Sequence, residues 1–567
     1  MRGPKWWQEA VGYQIYPKSF NDTNGDGIGD LKGIIQKLDY LVDLGVNLLW
    51  LCPIYQSPMA DNGYDISDYY KISPEFGTME DFKLLLKEAK NRHIKIIMDL
   101  ILNHTSDEHP WFINARHSKA SPYRDYYIWQ PGKTNSLGQE QEPTNWSSFF
   151  SSSCWTKDSQ SGEYYMHIFS KKMPDLNWRN KKMRQELYQM ITWWLELGID
   201  GFRVDAVAHL DRDYNFIDSE PSKTQNYCED WAKFSNLPRV HEYLKELNRE
   251  VFSKYDLVTI GEVGGRATVE DVLNYTKTSE KELNMVFTFD HCWHNRIWNP
   301  KEKHWEKQTD LIQLKQIFNK WQKGLYSQAW ASLYWLNHDH PRLLSQYGNE
   351  IDYPKESGKM LATALLMMWG TPFLYNGEEI GMTNPNFSEF TDYQDPVTIE
   401  KVDRLLRAGH SQSEVLRYIQ LTARDNARTP MQWNSSANAG FSSGDPWIKV
   451  AKNYSKINVE TQQQNPDSIL NYYKQLLKLR RNSPYKKLII YGDYQQLAPK
   501  HPYIYAYIRQ LEERKILVLC NFFEKAISFN LPEFTVKKII ISNYKDPTLN
   551  LELLKLRAFE TIVFEID

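Results

Sequence analysis

The chain has 567 residues, of which 41% are hydrophobic and 25% are charged, a composition typical of a large globular protein and not of a disordered chain. Its formal net charge is −3, which argues against nucleic acid as a partner. The five cysteines are scattered without a Cys-x-x-Cys pair, so we expect neither a disulfide framework nor a thiolate zinc site. Without a signal-peptide pattern or a membrane-spanning apolar run, we expect a cytoplasmic protein with no membrane partner.

Short apolar runs alternate with amphipathic segments over most of the chain, and continuous apolar runs are typical of strands buried on both faces. Thr78, followed by Asp81 three positions later, predicts the start of one of the intervening helices. The alternation favours a (β/α)8 barrel or a doubly wound parallel sheet. The predicted strands lie at residues 46–51, 95–101, 257–260, 285–289, 332–336 and 372–375.

Three regions depart from this alternation. Residues 104–174 have little helical periodicity and predict an irregular insertion after the third strand. Residues 380–465 are polar and rich in turn residues, which predicts long excursions near the last strand, and alternating segments after residue 485 predict a small antiparallel β domain. We therefore expect four segments: a first barrel part, an inserted domain, a second barrel part and a C-terminal β domain, at residues 1–103, 104–174, 175–484 and 485–567.

Two carboxylates directly follow apolar strand sequences, where barrel enzymes carry their chemistry. Arg203 precedes Asp205 by two positions on the same strand face, so we expect it to keep Asp205 ionised and to lower its pKa. Glu262 is flanked by small or apolar residues, which favour a raised carboxyl pKa and a general-acid role. A strand-end ion pair and a helix-capping glutamate are the structural alternatives.

Histidines and further polar residues follow two other predicted strands. His104 comes after Asn103, and residues 337–342 (NHDHPR) follow the run that ends at Leu336. A buried structural histidine or a metal site are alternatives for these residues, but no His-Glu-x-x-His spacing supports a catalytic metal.

Taken in order, four strand-end motifs resemble those of the α-amylase family, glycoside hydrolase family 13. They are residues 99–104 (DLILNH), 201–205 (GFRVD), 261–263 (GEV) and 337–339 (NHD). Residues 7–17 (WQEAVGYQIYP), 61–65 (DNGYD) and 427–433 (ARTPMQW) are similar to the oligo-1,6-glucosidase and α-glucosidase branch. The resemblance covers roughly residues 5–525.

This resemblance implies a fold and a set of site residues. The fold is an α/β (β/α)8 TIM barrel with a B domain inserted after strand three and a C-terminal antiparallel β-sandwich domain. Asp205 is implied as nucleophile, Glu262 as acid/base and Asp339 as transition-state stabiliser. Arg424 resembles the arginine that closes the glucose pocket with Asp61. The other implied substrate-binding residues are Tyr64, His104, Phe150, Phe169, Arg203, Ala206 and His338.

The implied reaction is cleavage of a small oligosaccharide substrate with retention of configuration, by a monomer or homodimer without an organic cofactor. A retaining glycosidase places its two carboxyl groups about 5–5.5 Å apart. A sugar acceptor in place of water gives transglucosylation. A non-enzymatic relative of the transporter heavy-chain type is a rival, but it needs a membrane-spanning helix and most such chains lack a full carboxylate set.

Residues 22–30 (DTNGDGIGD) place side-chain oxygens at alternate positions, like the start of an EF-hand loop. Position 33 is Gly, so the Glu at the twelfth EF-hand position is absent. Because bacterial α-glucosidases hold calcium in the corresponding loop, the resemblance implies a structural Ca²⁺. Magnesium or a metal-free turn are the alternatives. The candidate ligands are Asp22, Asn24, Asp26, Ile28 and Asp30.

The residue after the implied nucleophile, Ala206, bears on linkage. In this branch Val at that position is associated with α-1,6 cleavage, and Ala or Thr with α-1,4 cleavage. Met173 and Asn376 both stand where the oligo-1,6-glucosidases have Gln. We therefore expect an exo-acting α-glucosidase for maltose and short α-1,4-gluco-oligosaccharides. Oligo-1,6-glucosidase and, less well supported, trehalose-6-phosphate hydrolase are the alternatives.

Overall fold

A computed structural model describes residues 4–150, 153–220, 227–264, 266–293, 296–299, 304–307, 309–530, 534–547 and 554–567. Eight parallel strands form one sheet in the order β6-β5-β4-β3-β2-β1-β8-β7, the order of a (β/α)8 barrel. The strands are β1 Gly12–Ile15, β2 Leu48–Leu51, β3 Lys95–Ile101, β4 Gly201–Asp205, β5 Val258–Glu262, β6 Met285–Phe287, β7 Ser332–Leu333 and β8 Thr371–Tyr375.

The six apolar runs predicted as strands coincide with β2, β3, β5, β6, β7 and β8. The capped helix predicted after Thr78 is Met79–Asn91, and the Thr78 hydroxyl accepts a hydrogen bond from the backbone N–H of Asp81. The helices are Leu31–Gln36, Leu38–Leu44, Met79–Asn91, Pro110–His117, Lys181–Leu197, Pro238–Glu250, Val269–Thr276, Leu311–Leu325, Leu343–Tyr347, Pro354–Leu366, Pro396–Arg407, Gln412–Thr422, Asp425–Arg428, Val459–Gln464, Ile469–Asn482 and Lys486–Tyr491.

The chain packs as two compact units: residues 1–49, 87–95 and 289–567 form the first, and residues 50–86 and 96–288 form the second. In the second unit, β4 lies between β3 and β5, with Arg203 opposite both Asp99 and Ile260. β4 begins at Gly201, whose φ is +145°, and a Cβ there would lie 1.9 Å from the Val258 carbonyl oxygen. A glycine is therefore needed for the close approach of β4 and β5.

The segment after β3 is the predicted insertion. It contains a three-stranded antiparallel sheet of Trp129–Gln130, Tyr164–Met166 and Trp155–Lys157, in that order. The absence of helical periodicity was misleading at one point, because Pro110–His117 is a helix that begins with Pro110 and is capped by the His109 ring. The other short strands of this unit are Tyr55–Gln56, Asp68–Ile72, Lys133–Thr134 and Glu140–Gln141.

In the first unit, β8 lies between β1 and β7. The predicted excursion at 380–465 is more ordered than its polar composition suggested, since it contains the helices Pro396–Arg407 and Gln412–Thr422 around a small core with Val415 and Ile419. Both helices are short and amphipathic, and their charged and polar faces account for the polar composition of the segment.

The predicted C-terminal β domain is present in the first unit as a five-stranded antiparallel sheet. A two-stranded sheet shares its hydrophobic core, to which Leu519, Leu554 and Phe564 contribute. Among the described residues, no helix is both long enough and apolar enough to span a membrane. The remaining strands are Arg296–Asn299, His304–Lys307, Asp493–Leu497, Ile504–Leu511, Arg514–Asn521, Ile527–Phe529, Val536–Ser542, Leu554–Leu556 and Thr561–Ile566.

Candidate active site

Arg203 of β4 holds three carboxylates in the second unit, and we call these four residues the Arg203 group. Its Nη1 donates to Asp99 Oδ1 at 2.6 Å and to Asp205 Oδ1 at 2.5 Å, and its Nη2 donates to Glu262 Oε2. The three acids come from β3, β4 and β5, so the register of three parallel strands brings them to one guanidinium. Two sequence-predicted residues, Asp205 and Glu262, are thereby brought together.

The sequence-based expectation for the pKa of Asp205 is wrong in direction. Burial raises the pKa of Asp205 to about 6, and the attraction of Arg203 only partly offsets that effect, while the charge of Asp99 adds to the rise. Burial likewise raises the pKa of Asp99 to about 6. One arginine shared by three acids cannot compensate the desolvation of all of them.

The surroundings of Glu262 also differ from the apolar ones expected from sequence. Besides the Arg203 contact, its Oε2 accepts a hydrogen bond from the backbone N–H of Ala206 at 3.1 Å. Ala206 is buried and has a left-handed backbone conformation, with φ +46° and ψ 32°. This left-handed conformation is uncommon for a residue other than glycine.

Tyr64 and His104 are buried beside this group in the second unit. The Tyr64 hydroxyl donates to Asp99 Oδ2 at 3.1 Å, and the Tyr64 carbonyl oxygen lies 3.2 Å from His104 Nε2. Burial lowers the pKa of His104 to about 4, so its ring is neutral at pH 7. Because the Tyr64 carbonyl oxygen can only accept, Nε2 carries the single N–H of the neutral ring, while Nδ1 accepts from Asn103 Nδ2 at 3.2 Å.

Phe150 and Phe169 are partly buried, with ring centroids 6.0 Å apart, and the Phe169 ring meets His104 edge-on at 5.4 Å. Asp61 is buried, and its backbone N–H donates to Asp65 Oδ1 at 2.9 Å. The two predicted aromatic walls therefore lie together, with Phe169 against His104.

Asp339 belongs to a second set of charged residues, in the first unit, which we call the Asp339 group: Asp339, Asp395, Arg424 and Arg428. Asp339 Oδ1 lies 3.3 Å from Arg424 Nη1 and 3.1 Å from Arg428 Nη2. Burial acts to raise the pKa of Asp339, but His338, followed by Arg424 and Arg428, holds that pKa far below its usual range. Asp339 is therefore a permanent anion at any pH at which the protein functions.

Asp395 supports both arginines of this group. Its carboxylate accepts from Arg424 Nε at 3.1 Å and Nη2 at 2.6 Å, and from Arg428 Nη1 at 3.3 Å. It is buried and caps the helix Pro396–Arg407 through the backbone N–H of Thr398. Although burial opposes it, the two arginines lower the pKa of Asp395.

His338 is oriented within the first unit by Gln14 of β1, whose Nε2 lies 2.8 Å from His338 Nδ1. The Tyr16 ring stacks on the imidazole at 6.0 Å, and His338 Nε2 lies 3.4 Å from Asp339 Oδ2. The ring is thus fixed with one nitrogen toward Asp339.

Sequence reasoning missed three charged residues of these groups as site residues: Asp99, Asp395 and Arg428. Asp99 and Arg428 lie inside the motifs that carried the resemblance, so those motifs were a signal for both. The pair Asp395-Pro396, a capping residue followed by proline, is a helix-start signal. That signal predicts the helix but not the two arginines that Asp395 binds.

The Asp22–Asp30 loop directs its side-chain oxygens onto its own backbone. Asp22 accepts from the N–H groups of Asn24, Gly25 and Gly27, and Asp30 caps the helix Leu31–Gln36. In the described part of the chain, no three His, Cys, Asp or Glu side chains are grouped as a metal site. The donor chemistry of Asp22, Asn24, Asp26 and Ile28 suits a hard cation such as Ca²⁺. Both carboxylate oxygens of Asp22, Asp26 and Asp30 already accept hydrogen bonds in this structure.

Comparisons with known proteins agree with the geometry. The family described as the catalytic domain of α-amylase matches residues 14–490, and the C-terminal domain of the α-amylase SusG matches residues 504–563. The oligo-1,6-glucosidase of Parageobacillus thermoglucosidasius is 49% identical over 575 residues, which cover 99% of each chain.

Two solved structures of relatives also match nearly the whole chain. Trehalose-6-phosphate hydrolase of Bacillus licheniformis is 43% identical with a TM-score of 0.92, covering 99% of this chain and 100% of that one. Isomaltulose synthase of Klebsiella sp. LX3 is 40% identical with a TM-score of 0.93, covering 100% of both.

The family match spans most of the chain, and the barrel strand order, the insertion after β3 and the C-terminal antiparallel sheet agree with it. Three of the four family-like motifs contribute residues to the Arg203 group, and the fourth contributes Asp339. The chain belongs to the α-amylase family, and it is a glycoside hydrolase of family 13.

Proposed function

We propose that the protein is a retaining, exo-acting α-glucosidase that removes single glucose units from short α-gluco-oligosaccharides. The observation that carries this proposal is the sharing of Arg203 by Asp205 and Glu262, at the ends of the adjacent strands β4 and β5. Two carboxylates held side by side by one cation suit a double-displacement mechanism, in which one attacks and the other transfers protons.

Asp205 is the proposed nucleophile. With its pKa raised to about 6 by burial, its ionised form predominates at neutral pH while remaining more basic than an exposed aspartate. A carboxylate oxygen of Asp205 forms a bond to the anomeric carbon as the glycosidic bond breaks, giving a β-glucosyl-enzyme.

Glu262 is the proposed acid/base. It gives its proton to the leaving glycosidic oxygen in the first step, and in the second it takes a proton from the attacking water. The bond between Asp205 and the anomeric carbon then breaks and α-glucose is released. The N–H group of Ala206 and the guanidinium of Arg203 hold the Glu262 carboxylate in place.

Asp339 is the proposed transition-state stabiliser. As a permanent anion it accepts hydrogen bonds from the 2-OH of the glucose unit, bonds that strengthen as positive charge develops on the sugar ring. His104, whose ring nitrogens are held by Asn103 and Tyr64, lines the pocket for the glucose unit, and Phe150 and Phe169 pack against the sugar ring. We also propose that Arg424 contacts Asp61 and that the carboxyl groups of Asp205 and Glu262 lie about 5–5.5 Å apart.

For the linkage, the relatives favour α-1,6 bonds, because the most identical relative described above is an oligo-1,6-glucosidase. We therefore propose isomaltose and short isomalto-oligosaccharides as the leading substrates. This preference replaces the α-1,4 expectation of the sequence analysis as the leading hypothesis.

Cleavage of α-1,4 bonds is the second candidate, and Ala206 favours it. Ala206 follows the proposed nucleophile, contacts Glu262 and carries only a methyl group. A larger β-branched side chain would narrow the space next to the acid/base, where the leaving sugar lies, so Ala206 suits the more closely attached second sugar of maltose.

Initial rates on isomaltose, maltose and trehalose 6-phosphate decide between these substrates. The leading hypothesis expects isomaltose to be the best substrate, whereas a clear excess of maltose would establish the second candidate. Ala206→Val should raise the ratio of isomaltose to maltose rates by about tenfold, a typical effect of added methyl groups in a binding pocket. An unchanged ratio would remove Ala206 from the linkage argument.

A structural calcium ion remains part of the proposal. Asp22, Asn24, Asp26 and the Ile28 carbonyl would hold it, and it would fix the loop without taking part in catalysis. Added Ca²⁺ after treatment with EDTA should raise the melting temperature of the native chain but not that of Asp26→Ala. No difference between the two proteins would contradict calcium binding at this loop.

A further inference from the structure

A groove runs beside the helix Lys181–Leu197 in the second unit, away from the Arg203 group. We call it the Trp193 groove, and its cavity has a volume of about 1010 Å³. A neighbouring cavity of about 500 Å³ shares Tyr70, Gln185 and Gln189 with it. The combined space is of the size that binds small molecules and exceeds the needs of a single sugar ring.

One face of the helix supplies a row of side chains along this space. Gln185, Gln189 and Trp193 are four residues apart, so they lie one above the other on the helix surface. Both glutamines are exposed, and each amide offers two donors and an acceptor. Such a row can pair with successive hydroxyl groups of an extended ligand.

Aromatic rings form the walls. The Tyr70 ring is 46% exposed and meets the Trp193 ring nearly edge-on, at 5.2 Å between centroids and 70° between planes. Trp111 lines the neighbouring cavity. An exposed tyrosine ring and half-buried tryptophan rings can cover the apolar C–H faces of a sugar while their polar atoms stay hydrated.

The floor of the groove contains a buried polar group. The Tyr188 hydroxyl lies near the Arg184 guanidinium, and no hydrogen bond of normal geometry satisfies it among the described residues. Tyr188 is only 6% exposed and its hydroxyl is buried, so the polar contacts to a ligand come from the exposed amides of Gln185 and Gln189 above it.

The charges around the groove balance. The lining contains three basic residues, Lys181, Arg184 and Arg249, and three acidic ones, Glu196, Glu246 and Glu250. Arg184 pairs with Glu246 at 2.9 Å, and Arg249 pairs with Glu250 at 3.0 Å. A balanced lining provides no field for a phosphate or another strongly charged ligand. The lining instead suits a neutral, polyhydroxylated one.

We propose that the Trp193 groove is a second carbohydrate-binding site, which holds a neutral α-gluco-oligosaccharide apart from the reacting residues. The choice of an α-glucan as ligand rests on the proposed function, whereas the neutral polyhydroxyl character follows from the lining itself. The site would retain oligosaccharide chains at the enzyme surface between successive cleavages.

The test uses β-cyclodextrin, a ring of α-linked glucose units that has no non-reducing end for an exo-acting enzyme to cleave. We expect saturable binding to the full-length native protein by calorimetry, without competitive inhibition of p-nitrophenyl α-glucoside hydrolysis. Trp193→Ala and Gln189→Ala should each weaken binding by about tenfold, the scale of one lost aromatic or hydrogen-bond contact. Gln189 is exposed, so Gln189→Ala should leave p-nitrophenyl α-glucoside hydrolysis unchanged.

The matched control is Tyr503→Ala, which removes another exposed ring, 39% accessible and stacked on Phe523, in the first unit. It should bind β-cyclodextrin like the native protein. Absent binding, or binding that Gln189→Ala leaves unchanged, overturns the proposal even if Trp193→Ala does not fold. Failure of the proposed function would appear separately, as a native protein that does not hydrolyse the p-nitrophenyl glucoside.

Discussion

The Arg203 group and the Asp339 group combine arginines and buried carboxylates in different proportions. In the first, one guanidinium serves three carboxylates, and the pKa values of Asp99 and Asp205 are raised to about 6 because burial outweighs the attraction of the arginine. In the second, two guanidinium groups serve two carboxylates, with His338 adding to the effect at Asp339, and the pKa values of Asp339 and Asp395 are lowered although burial opposes this.

Burial raises the pKa of a carboxylate in both groups, and the positive charge close to it then decides whether it titrates near neutral pH or stays charged. A nucleophile benefits from being basic and still ionised at pH 7. A group that only stabilises positive charge benefits from being an anion at every working pH. The proposed roles of Asp205 and Asp339 follow this division.

Replacing Arg203, the single arginine of its group, should have the largest effect on stability. Arg203→Met leaves three carboxylates without a cation, and we expect the free energy of unfolding at pH 8 to fall by about 3–5 kcal/mol, as for other broken buried ion pairs. The loss should be smaller at pH 5, where protonation of the raised-pKa acids removes part of the repulsion. Urea unfolding at both pH values measures this.

A surface arginine provides the control for that variant. Arg514 is partly exposed and forms one ion pair with Glu565. Arg514→Met should cost less than about 1 kcal/mol. If both variants were equally destabilised, Arg203 would not be the common support of the three acids.

In the Asp339 group, Asp395→Asn removes the carboxylate charge that pairs with both Arg424 and Arg428, so neither arginine keeps its fixed position. We expect kcat/KM to fall by about 10–100-fold, equivalent to about 1.4–2.8 kcal/mol of transition-state stabilisation, because Asp339 loses its fixed partners. The matched control is Asp392→Asn, three residues earlier and also buried, which pairs with the exposed Lys449. Similar rates for the two variants would remove Asp395 from the support of the site.

The smallest expected effect is a shift in pH dependence. The native enzyme should lose kcat/KM on the acid side of about pH 6, as Asp205 becomes protonated. Asp99→Asn removes a negative charge that raises the pKa of Asp205, so the acid limb should move to lower pH. A limb that stays in place or moves upward in a pH–rate profile would contradict the coupling.

The same shift has a consequence for stability. Because the pKa of Asp205 is raised from 3.8 to about 6 on folding, the native state binds more protons than the unfolded state between these values. The contribution of this residue to stability is therefore present at low pH and lost as the pH rises through 6. Asp205→Asn should remove that part of the pH dependence.

Local sequence patterns were sufficient for much of the fold. The apolar runs of β2 and β3 and the capping pair Thr78 and Asp81 act within a few residues, so they can be recognised without a structure. The helix Gln412–Thr422 was missed, although Ser411 and Glu414 form a capping box that marks its start.

The electrostatics of the site could not be predicted in the same way. Arg203 and Asp205 are neighbours in the sequence, which suggested a simple pair and a lowered pKa. The contacts of Arg203 with Asp99 and Glu262 depend on the register of three strands that are far apart along the chain. Only the folded structure reveals the full burial of Asp205 and the nearby charge of Asp99, which together outweigh the attraction of Arg203 and raise the pKa of Asp205.

Trapping the covalent intermediate tests the central claim most directly. Incubation with 5-fluoro-α-glucosyl fluoride, whose glucosyl-enzyme hydrolyses slowly, followed by proteolysis and mass spectrometry, identifies the residue bonded to the sugar. We predict a single labelled peptide with the modification on Asp205. A label on Glu262 or on another residue, or turnover of the reagent with inversion and no label, would contradict the assignment of Asp205 as nucleophile.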